Sequence, residues 1–465
     1  MKNGSFTRTS APPRTTFDRR LIAPMVLGSV LNPVNSSIIA ISLVPIGRAF
    51  DAPPSQTAWL VSALYLATAI GQPVVGRLID VLGPRRLYLV ATAMVGVAGV
   101  IGWLAQDLWV LVVARVILGF GTCAGYPASM YLIRSESLRT GEDSPAGVLT
   151  LLAVASQTIA VVGPTLGGFL IGVGGWRATF AVNIPLSIAC LWLGSRRLPK
   201  HEPLADQRSD DTRFDLAGVA LFAATLLALL FFLMEPGVAV VPLLGVTVVA
   251  AIAFVVVETR VRAPFVDVRL LRGNLPLVTT YVRGLLTATV SYSFLYGFTQ
   301  WLQEGRHLDP STVGLVLIPM FGTAIVVSTL TGRRPEIRGK LLVGAVLQVA
   351  ACAVVLFLGG GTTIWVLVAL TLLLGIPQGL LGLGNQNAVY HQADPERVAS
   401  SAGLLRTAMY VGAIVAAAAS GLFLHDGATT DGVHHLAVFM LVVSSLMLLT
   451  TVADRSLASV GARRP

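Results

Sequence analysis

Three arginines, Arg115, Arg283 and Arg406, lie inside apolar runs long enough to cross a bilayer, and no Asp or Glu stands mid-run in any of them. An arginine at that depth costs at least about 2.5–3.5 kcal/mol on insertion scales, so it faces protein or a wet cavity. Arg115 is suited to bind an anionic group, or to bias the pKa of a nearby acid when a gate moves. Arg283 lies about two turns from the end of its run, within snorkelling reach of the interface. Amides and phenols stand in or at the ends of the apolar runs along the chain: Asn35, Gln72, Gln157, Gln378, Asn385 and Gln386, with Tyr292, Tyr296 and Tyr410. They are candidate lining for a midplane cavity, against the alternative of interhelical hydrogen bonding worth about 0.6 kcal/mol each.

The acids are at the edges. Glu235 and Glu304 fall near one face and Glu258 near the other, positions expected of solvated interfacial carboxylates. The first run carries Asn32, Pro33, Asn35 and Ser37 in place of an acid, and an amide cannot carry a proton. Catalysis is not supported, because an enzyme needs a convergent nucleophile, metal cluster or acid–base pair. All six histidines, His201, His307, His391, His425, His434 and His435, fall in predicted loops, and only the last two adjoin. Cys123, Cys190 and Cys352 sit in apolar stretches as small core residues. No catalytic residue, metal site or cofactor is expected.

The elements that position these groups follow from composition. The 465 residues are 54% hydrophobic and only 12% charged, about half the charge of a soluble domain. Lipid is the solvent that accepts such a chain, at roughly 20 apolar residues per crossing. The net charge of +10 lacks the clustered basic face that nucleic acid requires. The first run is too long for a signal-peptide core and is expected to stay as a span. The fold class is all-α and polytopic, with fourteen spans: 21–46, 57–76, 87–104, 108–132, 146–171, 179–193, 216–234, 240–257, 275–302, 313–330, 341–358, 364–383, 398–423 and 436–452.

With the N-terminus inside, the segments placed in the cytoplasm hold 27 of the 33 Lys and Arg, and the outer loops only Arg48, Arg177 and Arg306. That asymmetry puts both termini in the cytoplasm. Trp59, Trp103, Trp109, Trp176, Trp301 and Trp365 fall at outer helix ends, and Trp192 at an inner one, as the headgroup preference of indole demands.

After the second span stands Gly76-Arg77-Leu-Ile-Asp80-Val-Leu-Gly83-Pro-Arg85-Arg86. After the tenth stands Gly332-Arg333-Arg-Pro-Glu336-Ile-Arg-Gly339-Lys340, a degenerate second copy. Such internal repetition is the mark of a duplicated bundle. The expected organisation is a tail at 1–20, a six-helix bundle at 21–193, a linker at 194–215, two inserted helices at 216–257, a linker at 258–274, a second six-helix bundle at 275–452 and a tail at 453–465. In the first copy, two glycines are expected to turn the chain, and Asp80 to face a helix N-terminus, where a carboxylate gains roughly 0.3–1 kcal/mol.

Gly76–Arg86 resembles the signature loop between helices two and three of the major facilitator superfamily. Arg115-x-x-x-Gly119-x-Gly121 resembles that superfamily's helix-four motif, and Gly163-Pro164-Thr-Leu-Gly167-Gly168 the motif associated with antiporters. Trp176-Arg177-x-x-Phe180-x-x-Asn183-x-Pro185 is similar to the start of helix six in the fourteen-helix drug:proton antiporters. Pro264–Leu271 and Arg406 fit that family too. The resemblance implies export of lipophilic, often cationic, compounds in exchange for protons by alternating access between two bundles. The chain is expected to be a monomeric carrier of amphipathic drugs or secondary metabolites in the cell membrane. Gly76, Arg77, Asp80, Gly83, Arg85 and Arg86 would serve its cytoplasmic gate, and Arg115 and Arg406 its coupling. Gly163, Pro164, Gly167 and Gly168 would let the fifth helix pack closely and bend. The missing mid-span acid departs from that pattern. It leaves room for a dedicated exporter of one neutral or anionic metabolite with weak or no proton coupling.

Overall fold

The computed structural model describes residues 17–140, 146–200, 215–234, 240–261, 264, 268–332, 336–393 and 398–458. Among these the regular structure is helical throughout. A 3-10 turn at Arg19–Leu21 leads into α1 (Ile22–Phe50), α2 (Pro54–Leu82), α3 (Pro84–Leu104), α4 (Leu108–Thr122), α5 (Gly125–Thr140), α6 (Ala146–Ala181) and α7 (Asn183–Arg197). Then come α8 (Leu216–Met234), α9 (Val241–Glu258) and the short α10 (Val268–Gly273). The last six are α11 (Leu275–Glu304), α12 (Pro310–Gly332), α13 (Ile337–Val355), α14 (Ile364–Gln392), α15 (Val398–Phe423) and α16 (Thr430–Ala453).

These helices make fourteen spans. Eleven are each long and apolar enough to cross a membrane, among them the broken α4–α5 span Leu108–Ile133. The fifth and sixth spans share α6 and α7. Backbone angles leave the helical region at Gly174 and Gly175, with Gly175 at φ +65, which glycine alone adopts without steric penalty. α11 is more polar than most of the other spans, since its inward faces carry Thr287, Ser293, Thr299, Gln300 and Gln303, all buried in protein. An even number of crossings leaves both ends of the chain on one side, the terminal side, opposite a distal side.

α1 packs on α6, α2 on α4, and α3 on α4 and α7. The pattern recurs as α11 on α15, α12 on α14, and α13 on α14 and α16. Even the motif copies behave alike. Arg85, opening α3, donates to the Ser195 carbonyl at the end of α7 (2.7 Å), and Arg338, opening α13, to Val452 at the end of α16 (3.4 Å). A cation there meets the negative end of the helix dipole. α8 touches α2 and α15, with Phe231 against Trp59 at 5.1 Å, while α9 exposes Val249 and Ile252 as a lipid-facing helix does.

Several expectations need correction. The motif after the second span is not a loop: α2 continues through Gly76 to Leu82, and only Gly83, at φ +85, turns the chain. The side chains of Arg77 and Asp80 lie outside the described residues, as do Glu235 and the residues 333–335. Glu258 is fully buried, not solvated; it and Asp215 both close on Gly218, where a side chain would collide with their carboxylates. Glu304 is half-buried and accepts from the Ala428 amide (2.8 Å). His391 and the pair His434–His435 belong to helices, and a His434 ring nitrogen meets the Leu358 carbonyl (2.8 Å). The three cysteines are free and buried. Exposed Trp103, Trp109 and Trp365 ring the distal side, whereas Trp59, Trp176 and Trp301 at that level turn inward.

Candidate functional site

Glycine decides how closely the helices around the midplane approach. A side chain at Gly119 would meet the Leu64 carbonyl of α2 at 2.7 Å, and one at Gly121 the Ala91 carbonyl of α3 at 2.9 Å. α4 can therefore press Arg115 into the bundle. Gly163 and Gly167 lie against Ser37 and Ile38 of α1. One face further round, α6 meets the other bundle: Gly168 abuts Pro310 and Ser311, and Gly314 abuts Pro164 and Thr165.

Cross-bundle contacts cluster toward the distal side. Ser311 Oγ donates to the Gly168 carbonyl (3.2 Å) and Thr165 Oγ1 to that of Gly314 (3.1 Å). Thr299 Oγ1 donates to Ala40, and Gln303 Nε2 to Ile41, both at 3.1 Å. Gly421 of α15 lies against Ser55 of α2.

A cluster of four tyrosines closes the middle. The Tyr296 hydroxyl donates to that of Tyr65 across the bundles (3.2 Å). Tyr65 stacks on Tyr410 at 5.6 Å and meets the edge of Tyr292 at 5.4 Å, while Tyr292 stacks on Tyr296 at 5.7 Å. Tyr292, Tyr296 and Tyr410 were expected in the cavity; Tyr65 satisfies the same criterion of a phenol mid-span and was missed. Gln72 is half-buried two turns along α2 from Tyr65, on the same face. Arg406 lies toward the terminal side, its guanidinium 4.2 Å above the Tyr126 ring.

The remaining candidates separate. Asn35 pairs reciprocally with Asn183, each side-chain nitrogen donating to the other's oxygen at 2.7 and 2.9 Å. It also borders a small recess with Arg115 and Thr179. Arg115 is 2% exposed; Nε donates to the Leu60 carbonyl (2.9 Å), Nη1 to that of Asn35 (3.3 Å), and Nη2 has no partner. Gln378 borders a second small recess with Ser291 and the buried Gln348, which the sequence did not single out. Asn385 is taken up by Arg283, whose Nε donates to Asn385 Oδ1 (2.8 Å). Arg283 does not snorkel: it is 0% exposed and paired with Asp454 at 3.1 Å. Gln386 is exposed, and the Gln157 side chain lies outside the described residues.

The amide pair supports one stability prediction. Asn183→Leu leaves the Asn35 carboxamide buried without its partner, so a loss of about 1–3 kcal/mol is expected. Joint replacement of Asn35 and Asn183 by Leu is expected to recover part of it. Thermal melts of the three variants measure this, and additive losses would show that the two amides do not act as a pair.

Residues 25–417 match the family model described as Major Facilitator Superfamily. The chain is 33% identical to an uncharacterized MFS-type transporter, YwoD, of Bacillus subtilis, over 91% of this chain and 94% of that one. It is 30% identical to a lincomycin resistance protein of Streptomyces lincolnensis, covering 97% and 96%. Among solved structures, a peptide transporter, POT, superposes with a TM-score of 0.68 at 15% identity, covering 96% of this chain and 97% of that one. At that identity the likeness concerns the fold alone.

Proposed function

The chain belongs to the Major Facilitator Superfamily, a multi-span transporter of the cell membrane and not an enzyme, and we propose that it exports amphipathic small molecules by alternating access between its two bundles. The observation that carries this reading is the distal seam. Two bundles of matching internal packing meet there through glycine and carbonyl contacts, with a tyrosine cluster beneath. A seam of close main-chain approaches and a few hydrogen bonds can part and re-form as rigid bodies rock, which is how such folds alternate access. The excess of basic residues on the terminal side supports cytoplasmic termini, so that closure of the distal seam seals the outside. The tyrosine faces suit planar or aromatic substrates, and the lincomycin resistance relative supports efflux of antibiotic-like compounds. The carrier acts as a monomer.

On coupling, proton exchange is one reading. Among the described residues no carboxylate stands mid-span, so that cycle would have to draw on Asp80 and Arg115. The absence favours the second reading, an exporter of a neutral or anionic metabolite with weak or no proton coupling. Expression in a host lacking its own efflux pumps is expected to lower the accumulation of at least one amphipathic compound, with lincomycin among those tried. Arg115→Ala and Asp80→Asn are expected to abolish the effect. Unchanged accumulation across cationic, neutral and anionic compounds would overturn the exporter reading.

A further inference from the structure

The protein treats its two most deeply buried cations differently. Arg283, 0% exposed, has a carboxylate at 3.1 Å from Asp454, and hydrogen bonds to Asn385 and Thr280 besides. Arg115, 2% exposed, is given only the carbonyls of Leu60 and Asn35, and its Nη2 is left without a partner. Beside it lies the recess shared with Asn35 and Thr179. Arg406 likewise has an aromatic ring and no carboxylate among its described contacts. A buried cation is retained when something anionic completes it, and among the described residues no carboxylate pairs with the buried Arg115, nor with the half-buried Arg406.

The positions matter as well. Arg406 lies eight residues into α15 from the terminal side, about 12 Å deep, and Arg115 seven residues into α4 from the distal side, about 11 Å deep. The tyrosine cluster lies between them. From these observations we infer that the missing counter-ion is the substrate: the protein exports planar organic anions, passing their charge from Arg406 across the tyrosines to Arg115. The inference rests on the exporter reading and names its substrate class. It also accounts for the absent mid-span carboxylate. An anion leaving a cell that is negative inside moves down the membrane potential, so its export needs no proton carrier.

Three naphthalenes of one shape and fixed charge test this: 2-naphthalenesulfonate, 2-naphthalenesulfonamide and trimethyl(2-naphthyl)ammonium. Binding to the full chain in nanodiscs is read by fluorescence anisotropy. The sulfonate is expected to bind at least about tenfold more tightly than the sulfonamide, and the ammonium most weakly. Arg115→Gln and Arg406→Gln are each expected to weaken the sulfonate at least about tenfold and the sulfonamide by a much smaller factor, with thermal melts reporting that the variants are folded. In vesicles, an inside-negative potential is expected to speed sulfonate efflux with no accompanying pH change. Tightest binding by the ammonium, sulfonate affinity indifferent to both substitutions, or no saturable binding of any of the three would each overturn the inference. If lincomycin or another non-anionic compound is then still exported, the exporter reading stands without it; if nothing is exported, both fall.

Discussion

Gly168→Leu is expected to cut transport by more than about tenfold while leaving the protein folded. Built on the present backbone, a Cβ at Gly168 stands 2.5 Å from the Pro310 carbonyl oxygen and 2.9 Å from Ser311 Cα. Those are main-chain atoms, which cannot rotate aside as a side chain would. Overpacking of this kind costs about 1–3 kcal/mol or more, and it acts only when the distal seam is closed. At 2 kcal/mol the ratio of closed to open protein falls by a factor of about thirty. Gly314→Leu, across the seam against Pro164 and Thr165, is expected to do the same. Gly245→Ala, with open space around it in α9, should be silent. Closure can be read separately from transport. Thr165→Cys, half-buried at the seam, should react faster with an impermeant maleimide in the Gly168→Leu background than without it. Wild-type transport by a folded Gly168→Leu protein would remove seam closure from the cycle.

The glycines of α6 also show where sequence reading stops. Their density in a span advertises close packing, but not with which neighbour. Gly163 and Gly167 serve the contact with α1 inside one bundle, while Gly168, the next residue, serves the contact with the other bundle. A helix turns 100° per residue, so adjacent glycines face different partners. The spans themselves were legible because lipid imposes a length and a polarity on every crossing. α8, read at 216–234, begins and ends there. What the sequence hides is pairing at a distance. Asn35 and Asn183 are 148 residues apart, and Asn35 looked available to a ligand until each was seen to hold the other. Tyr65, with a rule already in hand that would have selected it, was a missed inference and not a hidden one.

The same lesson separates the three arginines. Equal in type and similar in depth, they differ in the company that distant parts of the chain bring. Arg115 meets carbonyls and Arg406 an aromatic ring, whereas Arg283 meets an acid 171 residues further on. If an exported anion is the partner Arg115 lacks, its removal should damage binding. Arg283 already has its partner, and its removal should damage the fold.

Asp454→Ala is therefore expected to destabilise the protein by about 3–5 kcal/mol, the usual consequence of leaving a buried charge unpaired. Arg283 has no exposure, and its remaining partners, Asn385 Oδ1 and Thr280 Oγ1, are neutral. Joint replacement of Arg283 and Asp454 by Leu should recover most of the loss, since apolar pairs substitute well for buried ion pairs. The effect has a pH signature. Burial pushes the Asp454 carboxyl up, but hydrogen bonds from Ser456 and Arg283 outweigh it and hold the folded group below the ordinary carboxylate value. A depressed folded pKa gives stability that is fully present above the unfolded value, near about 3.9, and is lost as pH falls through the folded one. Melts of the wild type should thus lose stability below about pH 4, and the doubly substituted protein should lack that part of the decline. A single Asp454→Ala variant within 1 kcal/mol of wild type (roughly the worth of an exposed ion pair) would mean that Asn385 and Thr280 suffice to hold the Arg283 charge. The contrast drawn with Arg115 would then lose its footing.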